Sequence, residues 1–300
     1  MVYRSAAQHR PAIRMTEPAR QSTNGISDWA TKSRSVWARR WRDTDSGLSG
    51  LAPHLLHAIE AAAPPVAFRA FEIGCGPGST TIDVASARSD AEIVACDIAP
   101  DLVGIARQRT AGLPGVRVIE GDAEQHVAGE GPFDLFYSRH GVMFFADPAR
   151  AFLAFRTAAK ADASIVFSCF QSWEANPWAS ELASAAAGRA LPAPGREPSG
   201  FAFADPDDVR EILDKAGWTQ ANPLPVQFEY AAGSGPDAVD SALTFFSELG
   251  PSSRVLESLP EGDHSGAMSR MRNVIERHCD GSAVVFPAAA WIWSAKAPKR

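Results

Sequence analysis

Cysteine is scarce in this chain: Cys75, Cys96, Cys169 and Cys279 are four among 300 residues, and no two show the close spacing of a zinc ligand pair or a disulfide framework. A reducing cytoplasm fits that usage. A basic excess is missing as well, since 29 lysines and arginines stand against 35 aspartates and glutamates, a formal net charge of -6. Proteins that hold nucleic acid mainly by neutralising phosphates carry the opposite balance, so nucleic acid is a poor expectation. No apolar run approaches the ~20 residues of a membrane span. The first 25 residues scatter arginines without the apolar centre of a signal peptide, the composition of a disordered tail with Met15 as an alternative start.

What remains is the composition of a globular protein, 45% hydrophobic and 21% charged. A helical stretch is expected from about Asp28 to Ala62. Short apolar runs then alternate with amphipathic segments. AFRAFEIG, AEIVACD, VRVIEGD, FDLFYS and SIVFSCF have the β-branched and aromatic content of buried strands. Between them, DLVGIARQRTA places Leu102, Ile105 and Ala106 on one helical face, while Asp147-Pro148 and Asp205-Pro206 each pair a capping residue with a first-turn proline. This alternation implies right-handed crossovers and an α/β, doubly wound sheet covered on both faces. Residues 26–300 read as one domain, with helical insertions near 172–200 and 233–281 over one edge of the sheet.

The stretch FEIGCGPGST holds the chemistry. An apolar strand ends at Ile73, Gly74, Gly76 and Gly78 follow, and a helix begins near Ser79, so that main chain without side chains borders a notch fit for a nucleoside or phosphate. The dinucleotide fingerprint G-x-G-x-x-G would need its third glycine one position later, where Ser79 stands. Asp97 closes the second strand about 20 residues on, where a carboxylate meets ribose hydroxyls. Asp122 ends the third strand, within reach of an adenine amino group.

Together these segments resemble the class I S-adenosylmethionine-dependent methyltransferases, in their small-molecule branch. EIGCGPG is similar to that family's first motif, CDIAPDLVGIAR to its second, GDAE to its third and FDLFYSRHGVMFFADP to its fourth. The resemblance is strong over about residues 35–170 and looser beyond. It implies a sheet in the order 3-2-1-4-5-7-6, its last strand antiparallel and formed by AAAWIWSAK. It also implies S-adenosylmethionine as cofactor and S-adenosylhomocysteine as product. Glu72, Gly74, Gly76 and Gly78 would hold the methionine moiety, Asp97 the ribose, Ile98 the adenine face, Asp122 and Ala123 the adenine pocket, and Ser138 the sulfonium end. The chain departs from the family before strand five, where Lys160, Ala161, Asp162 and Ala163 replace a K-P-G-G turn.

Methyl transfer is an in-line displacement, so alignment and exclusion of water are the protein's main contributions. His140 would be a base, with a pKa near neutrality, or else fill an aromatic slot beside Met143, Phe144 and Phe145. Arg139 would hold a substrate carboxylate or brace its loop. Phe144, Trp173, Glu174, Asn176 and Trp178 would wall the acceptor pocket, or anchor the inserted helix. Trp37 and Trp41, four apart on the first helix, read as core, although the resemblance implies that this helix folds over the cofactor; His54, His57 and His278 read as ordinary surface or half-buried residues, and Asp134 as structural. A methyltransferase acting on oxygen, nitrogen or carbon of a small molecule is the first reading. An NAD-dependent oxidoreductase is disfavoured by the glycine spacing and because none of Tyr3, Tyr137 and Tyr230 is followed by lysine four positions later. A non-catalytic cofactor sensor is the reading from another class.

Overall fold

A computed structural model describes residues 35–299. The tail expected over residues 1–25, and residues 28–34 of the expected first helix, lie outside the described residues. The continuous helix expected up to Ala62 is instead broken into a short turn of helix at residues 35–39, α1 (Trp41–Gly47) and α2 (Ala52–Ala62). Close approach to a distant strand explains the break. A Cβ on Gly47 would lie 2.4 Å from the Tyr230 ring, and one on Gly50 2.8 Å from the Glu229 carbonyl oxygen.

Beyond α2 the alternation is regular. The elements are β1 (Phe68–Ile73), α3 (Ser79–Ala87), β2 (Ala91–Asp97), α4 (Pro100–Thr110), β3 (Val116–Glu120), α5 (Ala123–Glu130), β4 (Phe133–Arg139), α6 (Pro148–Thr157) and β5 (Ala159–Phe170). Then come α7 (Pro177–Ala187), α8 (Pro206–Lys215), β6 (Thr219–Ser234), α9 (Ala238–Glu248), α10 (Pro251–Ser258), α11 (His264–Arg277) and β7 (Ala283–Lys296). The seven strands form one sheet, β3-β2-β1-β4-β5-β7-β6, in which β7 runs antiparallel to both neighbours. That is the order the resemblance implies. Asp147 accepts a hydrogen bond from the Arg150 amide at 3.0 Å, and Asp205 one from Asp207 at 2.9 Å, the two helix starts expected from Asp-Pro.

One boundary differs from expectation. β5 starts five residues early, at Ala159, so the residues expected to form a turn lie inside the strand, with Asp162 at φ +62 and a register shift opposite Phe133–Leu135. β6 runs through TQANPLPVQFEYAAGS, 16 residues including Pro223 and Pro225. Those prolines are tolerated because β6 is the sheet's edge, where one side needs no donor. Residues 172–200 supply α7 and 233–281 supply α9 to α11. α7 packs on α10 and α11, and α9 on β6.

The core beneath the central strands is aromatic. Phe71, Phe133, Phe136, Phe152, Phe155 and Phe167 are fully buried, and their rings meet at centroid separations of 5.2 to 6.4 Å. At about 1.5 to 3 kcal/mol per buried ring, this cluster fixes the strand tips from which the site is built.

Candidate functional site

β1 ends at Ile73, and Gly74, Gly76 and Gly78 follow at φ +66, +53 and +82, left-handed conformations that side chains other than glycine rarely adopt. Their missing side chains serve different ends. A Cβ on Gly74 would stand 3.2 Å from Gly141 Cα and one on Gly78 3.2 Å from Ala106 Cβ, whereas one on Gly76 would meet nothing within 4 Å. Gly74 and Gly78 are bare for their neighbours; Gly76 presents bare main chain to open space.

The strand tips on either side are tied to this loop. Asp97 accepts from the Gly76 amide at 2.7 Å and from Ala99 at 2.9 Å, and its own carbonyl accepts from Gly121 at 2.9 Å. Ile98 beside it is half exposed. Asp122 caps α5, accepting from the Glu124 amide at 2.9 Å and the Gln125 side chain at 3.2 Å, with Ala123 buried behind it. His126, which no spacing singled out, lies over Gly121, where a Cβ would meet its ring at 2.1 Å. Ser138 donates to the Ile73 carbonyl at 2.6 Å and accepts from Gly141 at 3.1 Å, bracing the tip of β4 against that of β1.

Glu72 turns inward beneath the loop. Its carboxyl is buried and accepts from the Thr81 hydroxyl and, at 3.2 Å, from Tyr137. Burial pushes its pKa up to about 8, against the opposing pull of Thr81, Arg139 and Tyr137.

A charged knot crosses the notch. Asp45 on α1 accepts from Arg139 at 2.5 Å, from Arg109 at 3.2 Å and from the Ser79 hydroxyl, while Arg109 also donates to Ser79 at 2.9 Å and to the Pro77 carbonyl at 2.8 Å. The guanidinium groups of Arg42 and Arg109 each lie over the Trp41 ring, at 4.3 and 4.4 Å. Trp37 meets Phe144 edge-on at 5.2 Å. α1 thereby spans from the start of α3 to the tip of β4. Asp45 and Arg109 fall in no motif; only the fold brings them together.

His140 follows at φ +60, its ring 8% exposed. Nδ1 lies 2.8 Å from the Ser168 hydroxyl, the ring packs 4.2 Å from Phe170, and Nε2 has no hydrogen-bond partner among the described residues. The expected near-neutral pKa is not found. Burial first, and the Arg139 charge second, pull it down to about 3, so the ring is neutral at ordinary pH.

Asn176 and Trp178 anchor α7 to β7. The Asn176 amide exchanges hydrogen bonds of 3.1 Å each way with the Ala289 main chain and accepts from Trp178 Nε1 at 3.1 Å. Trp173 meets Phe201 edge-on at 5.1 Å, and Glu174 is exposed just ahead of α7. His54 and His57 are exposed on α2; His278 stacks on Phe286 at 4.1 Å. Asp134 accepts from the Arg69 amide at 3.0 Å and from Lys160 at 2.7 Å at the far end of the sheet. A surface groove of about 610 Å³ on β6 and β7, lined by Gln227, Glu229 and Pro287, shares no residue with the glycine loop.

Residues 70–162 match the family model described as a methyltransferase domain. A curated relative, the ubiquinone biosynthesis O-methyltransferase of Xanthomonas axonopodis pv. citri, is 37% identical over 73 residues, which is 23% of this chain and 30% of that protein. Among solved structures, the Bacillus YcgJ protein is similar over 83% of this chain and all of its own, at 16% identity and a TM-score of 0.51. Haemonchus contortus phosphoethanolamine N-methyltransferase 2 is similar over 94% of this chain and 62% of its own, at 15% identity and a TM-score of 0.54. Both structural likenesses are of fold. The glycine-tipped first strand and the sheet order accompany the family-model match, and residues 70–162 are a methyltransferase domain.

Proposed function

We propose that the protein moves a methyl group from S-adenosylmethionine to oxygen, nitrogen or carbon of a small-molecule acceptor, releasing S-adenosylhomocysteine. The observation that carries this reading is Gly76, whose main chain faces open space between strand tips that end in carboxylates. Gly74, Gly76 and Gly78 would admit the methionine moiety, with Glu72 beneath it, Asp97 would take the ribose, and Ile98, Asp122 and Ala123 would border the adenine. Ser138 would hold the loop in register from the methyl side. Bound there, the cofactor supplies a methyl group on a positively charged sulfur.

The chain's own share is alignment and dryness. α1, fastened through Asp45, would cover the notch, while Phe144, Trp173, Asn176 and Trp178 would close the acceptor side. Arg139 would act through Asp45 rather than on a substrate carboxylate, because its guanidinium is already ion-paired there. His140, neutral above about pH 4 by the shift already given, would orient the acceptor. The relative that is an O-methyltransferase of ubiquinone biosynthesis supports a small-molecule acceptor. Among the described residues no helix is long and apolar enough to cross a membrane.

Calorimetry tests the reading: S-adenosylmethionine and S-adenosylhomocysteine should bind and NAD should not, the reverse pattern favouring the oxidoreductase. Asp97→Ala should weaken cofactor binding by about 1 to 3 kcal/mol, the cost of an unpaired polar group. An unchanged affinity would remove Asp97 from the cofactor site. Tight binding without turnover over a broad acceptor panel would favour the sensor.

A further inference from the structure

Arg139 lies opposite Ser168 where β4 pairs with β5, and the next residue, His140, turns left-handed and brings its ring back to the same serine. Two bonds hold it there. The His140 amide donates to the Ser168 carbonyl at 3.2 Å, and Nδ1 lies 2.8 Å from the Ser168 hydroxyl. Both residues are more than nine-tenths buried, and Nδ1 is the partner of that hydroxyl among the described residues.

Burial keeps the His140 ring neutral, so it carries one proton, on one nitrogen or the other. Counting unmet groups decides which. With the proton on Nδ1, that N–H would donate to the serine oxygen, leaving the hydroxyl proton without an acceptor and the Nε2 lone pair without a donor. With the proton on Nε2, the hydroxyl donates to Nδ1, and the Nε2 N–H alone lacks a partner. Each unmet buried group carries the full cost of its lost hydration, so the second arrangement is favoured.

We infer that Ser168 is a positioning residue: its hydroxyl donates to Nδ1 and fixes the His140 proton on Nε2, so that His140 serves the methyl-accepting molecule as a hydrogen-bond donor and not as a base. A nitrogen that already holds the ring proton has no lone pair for another. Whatever partners it must supply one, so a carbonyl, ether or ionised oxygen suits it, whereas an ammonium group, which only donates, does not. The role toward an acceptor rests on the methyltransferase reading; the place of the proton does not.

Nuclear magnetic resonance correlation of the imidazole protons with the ring nitrogens, in the isotope-labelled full chain at neutral pH, reads the protonated nitrogen directly. Among the seven histidines, the signals that His140→Asn removes belong to His140, and asparagine tolerates the left-handed backbone there. Nδ1 should resonate as an unprotonated nitrogen and Nε2 as a protonated one. Ser168→Ala should move the His140 Nδ1 resonance toward that of a nitrogen accepting no hydrogen bond, and leave the other rings in place. Should the alanine variant fail to fold, Ser168→Cys, close in size and a weaker donor, should move it in the same sense. A proton on Nδ1, or an Nδ1 resonance indifferent to loss of the hydroxyl, would overturn the inference. S-adenosylhomocysteine titrated into the same samples separates the two readings. No binding with the expected spectrum leaves the Ser168 and His140 pair standing and removes the methyltransferase reading; binding with a proton on Nδ1 removes the pair alone.

Discussion

Replacing Glu72 with glutamine should make the protein more stable at pH 8 than the wild type and flatten the fall of its stability between about pH 4.5 and 8, the ordinary and buried values of this carboxyl. The folded chain holds the Glu72 proton up to about pH 8, while the unfolded chain releases it near 4.5. Between those values the folded state binds more protons than the unfolded, so stability declines as pH rises. At about 1.4 kcal/mol per pH unit the whole decline is on the order of 5 kcal/mol, a large share of the ~5 to 15 kcal/mol that holds a domain folded. Glutamine keeps a carbonyl for the Thr81 and Tyr137 hydroxyls and has no charge to desolvate. Urea unfolding of both proteins at pH 5 and pH 8 checks this; parallel pH dependence would show that Glu72 is not the group responsible.

Trp218→Ala should cost about 3 to 5 kcal/mol, the range for deleting a buried aromatic side chain. Gly217, at φ +78, turns the chain out of α8 and sets Trp218 inward, where its Nε1 donates to the Phe152 carbonyl at 3.0 Å and its ring meets Phe136 edge-on at 5.9 Å. The ring fills the seam between α6, α8 and the underside of β4. Alanine leaves a cavity there that rings from three elements cannot collapse into together. Trp218→Phe should recover most of the packing and lose the hydrogen bond, so its cost should fall well short of alanine's. Guanidinium unfolding measures both, and a loss under about 1 kcal/mol for alanine would mean that the seam closes. Because Phe136 belongs to the strand that ends in Ser138 and Arg139, a loosened seam should also weaken ligand binding at the notch.

The parts of this architecture carried by local chemistry were legible in the sequence. Asp147 and Asp205 cap helices because an Asp-Pro start is self-contained, and the glycine loop follows from a short run of spacing. The sheet order came with the resemblance rather than with periodicity. What stayed hidden depends on contacts made far along the chain. Arg139 meets Asp45 across 94 positions, and nothing in WRDTDSG announces a partner. His140 looks like a base by its place after β4, but its low pKa comes from burial, which Phe170 and the elements after β5 complete. Tyr230 meets Trp178 and Gly47 only because β6 pairs with β7 and α7 stacks over it. The first residues of β5 escape the sequence pattern because AKADA has no apolar alternation, being the exposed end of a strand otherwise buried.

Asp45 joins α1 to residues on three other segments, and Ser79 and Arg139 among them flank the bare main chain of the loop. On the proposed reading, a guest seated beneath that helix would arrive before the fastening closes and depart after it is undone. Its dwell time would then follow how often one carboxylate lets go of its cations, a clock separate from the grip of the cradle itself.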